Sequence, residues 1–221
     1  MTPSGAEIRV EIRWSQMSLA RMVSASCLIF VALAFGAYPG VGAEAQACVI
    51  EDPQGDAFWP GGAPAYEDVV QVGIAKKGST FSFVMVLAGP IPKQPAFPVG
   101  VRLISWVWGL DTDSSTAPRG GFPLSPGEPH SDEFFVFTLW DGTAFASFVV
   151  DRRPLLAGEP EIVYAVPSGI KGTEIRLSAG ADMLGSPSEF VWDAGTVNFF
   201  SQLGTEGWLG ADGTAVVPWP C

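Results

Sequence analysis

Basic side chains are scarce in this sequence: 12 Lys and Arg stand against 23 Asp and Glu, for a formal net charge of −11. A surface that acidic repels phosphate backbones, which argues against nucleic acid as a partner, and it attracts cations. Histidine is scarcer still. His130 is the only one, and alone it cannot build a histidine-based metal centre. The chain has no Gly-x-Ser-x-Gly elbow, His-Glu-x-x-His pair, Cys-x-x-Cys motif or Walker-type Gly-Lys pair. The local signatures of serine hydrolases, zinc proteases, thiol redox proteins and P-loop nucleotide binders are therefore absent. Helical periodicity is missing too, since no stretch sustains an apolar stripe over three turns.

What the chain has instead is turn chemistry and β-formers. It carries 26 Gly and 19 Pro, with only 16% charged residues. That mixture suits many short strands joined by punctuated turns. A chain of 221 residues fits one domain and can bury a sizeable core without a metal.

Residues 1–47 read as a pre-region and export signal. Arg21 precedes the apolar run Leu28–Phe35, a break follows at Gly36, Pro39 and Gly40, and Ala43-Glu44-Ala45-Gln46-Ala47 offers Ala-x-Ala cleavage after Ala45 or Ala47. Met17 is an alternative start, and an uncleaved anchor is the competing reading. The acidic excess lies wholly in residues 48–221, because three Arg balance three Glu before them. Export places the protein in a secreted or extracytoplasmic setting. There Cys48 and Cys221, one at each end of the mature chain, can close a terminal disulfide; alternatively Cys48 is the first mature residue and carries a lipid.

Strand patterns recur through the mature part. Val70, Val72 and Ile74 alternate, Thr80–Leu87 follows a Lys76–Ser79 turn, and Ile104, Trp106, Trp108 and Leu110 share one strand face. Asp141-Gly142 between Phe134–Trp140 and Thr143–Val150 is a hairpin signal. Residues 162–166, 173–178 and 190–192 are further strands, and 180–185 and 196–202 read as short helical turns. The spacing predicts a sandwich or barrel.

Asp52-Pro53-x-Gly55-Asp56, the loop with Pro64 and Tyr66, Asp68-Val69-Val70-x-Val72, Leu110-Asp111-Thr112-Asp113, Trp140-Asp141-Gly142 and Gly204-Thr205-Glu206-Gly207-Trp208 before Asp212 together resemble DOMON-like domains. Those are related to family 9 carbohydrate-binding modules. The resemblance implies an all-β, antiparallel, immunoglobulin-like (jelly-roll-type) sandwich over residues 48–221, usually non-catalytic, often with bound calcium and a sugar or other small ligand. Some related domains bind haem, but His130 and the methionines fall outside any recognisable ligand spacing.

Two constellations carry chemistry. Asp52, Asp56 and Asp68 surround one glycine- and proline-rich loop, and clustered carboxylates with backbone carbonyls suit calcium; the alternative is Asx turns. Asp111 and Asp113 start like an EF-hand loop, but Thr116 and Phe122 replace its Gly and Glu, leaving a different calcium arrangement or simple loop stabilisation. For a ligand, Trp59 and Trp208 offer stacking faces, with Glu206 and Asp212 to accept hydroxyl hydrogen bonds. Trp106 and Trp108 belong to the core. The leading expectation is an exported, non-catalytic binding module for a carbohydrate or other small molecule, with calcium as the candidate stabilising ion. Membrane contact is limited to the signal segment or a lipid on Cys48. The alternatives are a structural or adhesion domain contacting a surface protein, and a small glycoside hydrolase using a pair such as Glu133 and Glu206.

Overall fold

A computed structural model describes residues 46–59, 62–113, 132–202 and 205–221. Among them the chain forms two antiparallel sheets and two short 3-10 turns, an all-β sandwich as expected. Strands are numbered in chain order. The five-stranded sheet runs β1 (Gln46–Glu51), β2 (Val69–Lys77), β3 (Thr80–Leu87), β9 (Glu174–Gly180) and β8 (Ser168–Lys171). The other runs β11 (Thr205–Gly213), β10 (Phe190–Gln202), β4 (Val101–Asp111), β5 (Phe134–Trp140), β6 (Phe145–Asp151) and β7 (Ile162–Ala165), with β12 (Val217–Trp219) also on β10.

The core follows from period-two alternation. Phe81, Phe83 and Met85 of β3 are fully buried, as are Ile104, Trp106, Trp108 and Leu110 of β4. Facing strands meet ring to ring: Phe83 sets its edge against Trp108 at 5.7 Å between centroids, and Phe81 packs on both Phe190 and Trp219 at 5.8 Å. Edge-to-face contacts of this kind add to the stabilisation from buried apolar area. Asp141-Gly142 turns the hairpin, and Asp141 Oδ1 accepts from Thr143 N–H, Thr143 Oγ1–H and Ala144 N–H.

Two expectations change and a third holds. Val70 lies off the core face, because a register irregularity between Val69 and Gln71 hands the inward positions to Val69 and Val72. Residues 196–202 are strand, not helical turn: β10 continues through them with β4 on one side and β11 on the other. The turn expected near 180–185 is present as a 3-10 turn at Ala181–Leu184.

Cys48 and Cys221 form a disulfide, with Cα atoms 5.7 Å apart across 173 positions. The bridge occupies the Cys48 sulfur that the lipid alternative requires. Gln46 and Ala47 already belong to β1, paired with Lys76 and Ala75, so the folded unit starts ahead of Cys48. Of the expected pre-region and export signal over residues 1–47, residues 1–45 lie outside the described residues. No helix among the described residues is long and apolar enough to cross a membrane.

Candidate functional site

The loop from Asp52 to Trp59 is tied to both sheets. Asp52 N–H donates to Val70 O at 3.0 Å, continuing the β1–β2 ladder, and Phe58 N–H donates to Ala211 O at 2.7 Å. In between, Gly55 turns the chain at φ +92°, a left-handed value that a side chain disfavours, and its N–H donates to Asp68 Oδ2 at 2.9 Å.

Ala211 is available as an anchor because β11 bulges there. Asp212 pairs with Thr196 and Gly210 with Val197, leaving Ala211 as the extra residue. A bulge re-aims the side chains beside it. Here Asp212 meets the start of β2: its Oδ2 accepts Val69 N–H at 2.6 Å, and its Oδ1 accepts Gly213 N–H at 2.8 Å. Gly195 makes the close approach feasible, since a Cβ there would stand 2.3 Å from Asp212 O.

Asp52, Asp56 and Asp212 thereby bring one carboxylate oxygen each within 4.8 Å of one another. Asp56 is exposed, while Asp52 and Asp212 are half-buried. Burial pushes the Asp212 carboxyl up to about 6, with Asp52 and Asp56 adding to the rise against the hydrogen bonds from Val69 and Gly213. Asp52 is raised as well, by burial and then by the Asp56 and Asp68 charges. Behind them Asp68 is only 7% exposed. Among the described residues, neither Asp68 Oδ1 nor Asp52 Oδ2 receives a hydrogen bond, although both atoms are buried. Buried carboxylate oxygens without donors are costly. A hard divalent cation would relieve the repulsion among Asp52, Asp56 and Asp212, and an all-oxygen donor set suits calcium better than softer metals.

The structure therefore keeps Asp52 and Asp56 together, sets Asp68 beside them, and adds Asp212, which sequence reasoning had assigned to a ligand. The second acidic group also gains a member. Asp111, Asp113 and Glu133 converge within the same 4.8 Å. Glu133 is 1% exposed and accepts Thr112 N–H at 2.5 Å and Thr112 Oγ1–H at 3.1 Å, and Asp111 Oδ1 accepts Asp113 N–H at 3.2 Å. These bonds hold the chain as it leaves β4. Burial raises the Glu133 carboxyl, opposed by the Thr112 bonds and assisted by Asp111 and Asp113.

The aromatic candidates fare differently. Trp59 is 8% exposed and belongs to the main core cluster, so its ring does not present an open stacking face. The loop folds it inward and leaves Phe58 outside, at 68% exposure. Trp208 is half-buried on the outer side of its sheet, packed with Phe199 at 5.1 Å between ring centres. Glu206 pairs its backbone with Ser201, but its side chain, like His130, lies outside the described residues.

Two features escaped sequence reasoning. Glu67 is fully buried, accepts Asn198 Nδ2–H at 2.6 Å, and is pushed by burial up to about 7. A recess of about 480 Å³ lies near the other end of β4, lined by Phe97, Gly100, Val101, Arg102, Asp141 and Ser201. Neither carries a motif, because each is assembled from residues far apart in the chain. Comparison with protein-family models, curated proteins and solved structures found no match to this chain.

Proposed function

We propose that the protein is an exported, non-catalytic binding module of the DOMON-like kind, holding one calcium ion on Asp52, Asp56 and Asp212 and taking a carbohydrate or other small molecule. The observation that carries this is the convergence of those three carboxylates in front of Asp68, whose Oδ1 is buried without a donor among the described residues. Export is supported by the Cys48–Cys221 disulfide, since such bridges persist in oxidising compartments. Calcium supplies charge neutralisation and order: it ties the Asp52–Trp59 loop to the edge of β11. The protein side of the site positions the ligand and performs no bond-breaking step.

Calorimetric titration of the full chain with calcium tests the proposal. One ion per chain is expected, with Asp52→Asn and Asp212→Asn each weakening affinity by about tenfold or more. Chelator should lower the melting temperature of the wild type and leave Asp212→Asn unmoved. A wild type with neither binding heat nor a chelator effect refutes the metal assignment.

A further inference from the structure

We propose that the recess at the Val101 end of β4 binds a free amino acid with an apolar side chain, its carboxylate on Arg102, its ammonium on Asp141 and its body against Phe97. This site shares no residue with the calcium cluster and does not rest on it. At about 480 Å³ the recess has the size of a small-molecule pocket.

Arg102 is released to the recess by a second β-bulge. Phe199 pairs with Leu103 and Phe200 with Val101, so Arg102 is the extra residue between them. A bulge re-aims the side chain that it frees from the ladder. Arg152, Arg153 and Arg176 each hold a carboxylate, from Glu161, Asp151 and Glu174. Arg102 holds none among the described residues, in a chain with 23 acidic side chains against 12 basic ones. Its guanidinium is a planar fork left open for an added carboxylate.

Asp141 brings the opposite charge to the same recess. Burial acts to raise its carboxyl, but the bonds from Ala144 and Thr143 outweigh it and hold the group below its usual value. The side chain is therefore ionised at neutral pH. Those bonds arrive at Oδ1, and no cation pairs with Asp141 among the described residues. Two opposite charges that line one cavity without pairing match a ligand carrying the complementary pair.

The wall between them is set in advance. Trp140 Nε1–H donates to Pro95 O at 3.1 Å and Tyr66 Oη–H to Ala96 O at 2.7 Å. Beyond Phe97, Val101 N–H donates to Pro98 O and Ser201 N–H to Gly100 O, both at 3.0 Å. Gly100 turns the chain there at φ +85°. The segment is thus pinned on both sides of Phe97, whose ring lies on Gly142: a Cβ there would stand 3.0 Å from Phe97 Cε2. A preset apolar wall loses little freedom when a ligand covers it.

Charge selects the ligand class. A simple anion is repelled by Asp141 and a simple cation by Arg102, while a neutral polyol compensates neither. A zwitterion satisfies both at once through charge-assisted hydrogen bonds.

Calorimetric titration of the full chain with leucine, methionine and phenylalanine, in chelator, tests this. At least one should bind. Its amide, which lacks the carboxylate, and its N-acetyl form, which lacks the ammonium, should each bind about tenfold or more weakly. Arg102→Gln should erase the difference between amino acid and amide. Asp141→Asn, which keeps an acceptor for Thr143 and Ala144, should erase the difference between amino acid and N-acetyl form. Arg102 is exposed, so Arg102→Gln reads the site even where Asp141→Asn disturbs the hairpin. No binding of any of the three amino acids overturns the proposal. Equal affinity for an amino acid, its amide and its N-acetyl form overturns the charge pairing, and binding unchanged in Arg102→Gln overturns the placement.

Discussion

Glu67 supplies the sharpest quantitative prediction, because its environment is closed and its partner is known. The side chain is fully buried and accepts one hydrogen bond, from Asn198 Nδ2. Among the described residues its Oε1 has no partner, and neither do the nearby strand positions Thr196 Oγ1 and Asn198 Oδ1. Burial favours the protonated acid over the charged one and, against the Asn198 hydrogen bond, raises its pKa to about 7 from 4.5. The sign of the linkage is set by that rise. Stability tied to the neutral form is complete below about pH 4.5 and is lost as pH climbs through about 7. The gap corresponds to about 3 kcal/mol by pH 8.

Glu67→Gln keeps an acceptor for Asn198, removes the charge and supplies an N–H donor. It should match the wild type near pH 4 and exceed it by about 3 kcal/mol near pH 8. Urea unfolding in chelator at both pH values reads this directly, and chelator keeps the neighbouring Asp68 cluster out of the comparison. Parallel stability-against-pH curves for the two proteins would refute the reasoning, since they would mean that Glu67 carries no differential protonation.

Gly195→Ala places a Cβ 2.3 Å from Asp212 O and 3.0 Å from Gly213 Cα; it should cost about 1–3 kcal/mol in unfolding experiments and weaken calcium binding with it, because β11 must move and carry Asp212 along. Replacing both Cys48 and Cys221 with Ser opens a loop spanning 173 positions; the chain-entropy model puts the loss at about 4–5 kcal/mol as an upper value, read as a lower urea midpoint. Cleavage after Ala45 leaves Gln46 and Ala47 in the β1–β2 ladder, whereas cleavage after Ala47 removes both. N-terminal sequencing of exported protein should begin at Gln46.

The legible part of the sequence is the part governed by local alternation. Phe81, Phe83 and Met85, and then Ile104, Trp106, Trp108 and Leu110, announce one-sided strands and are buried as expected. β10 breaks that code. Its inward positions Thr196 and Asn198 are polar, with Asn198 bonded to Glu67, while Val197 and Phe199 face outward among the smaller apolar group that includes Val107, Phe135 and Trp208. An inverted alternation cannot be recognised without knowing that a buried carboxyl waits across the sheet gap.

The same limit explains the candidate site. Asp52, Asp56 and Asp68 lie within one short stretch and could be grouped from sequence, but Asp212 reaches them only because Ala211 is an extra residue in its strand. Val69 and Asp212, bonded at 2.6 Å, are 143 positions apart. No periodicity spans that distance. The bulge also settles which aromatic is free: by offering Ala211 O to Phe58 N–H it fixes the loop so that Trp59 turns into the core and Phe58 stays in water. One unpaired residue in β11 thus gathers the carboxylates, anchors the loop and selects the exposed ring. Shortening β11 by deleting Ala211 should therefore abolish the calcium binding read by calorimetric titration, because Asp212 no longer reaches Asp52 and Asp56.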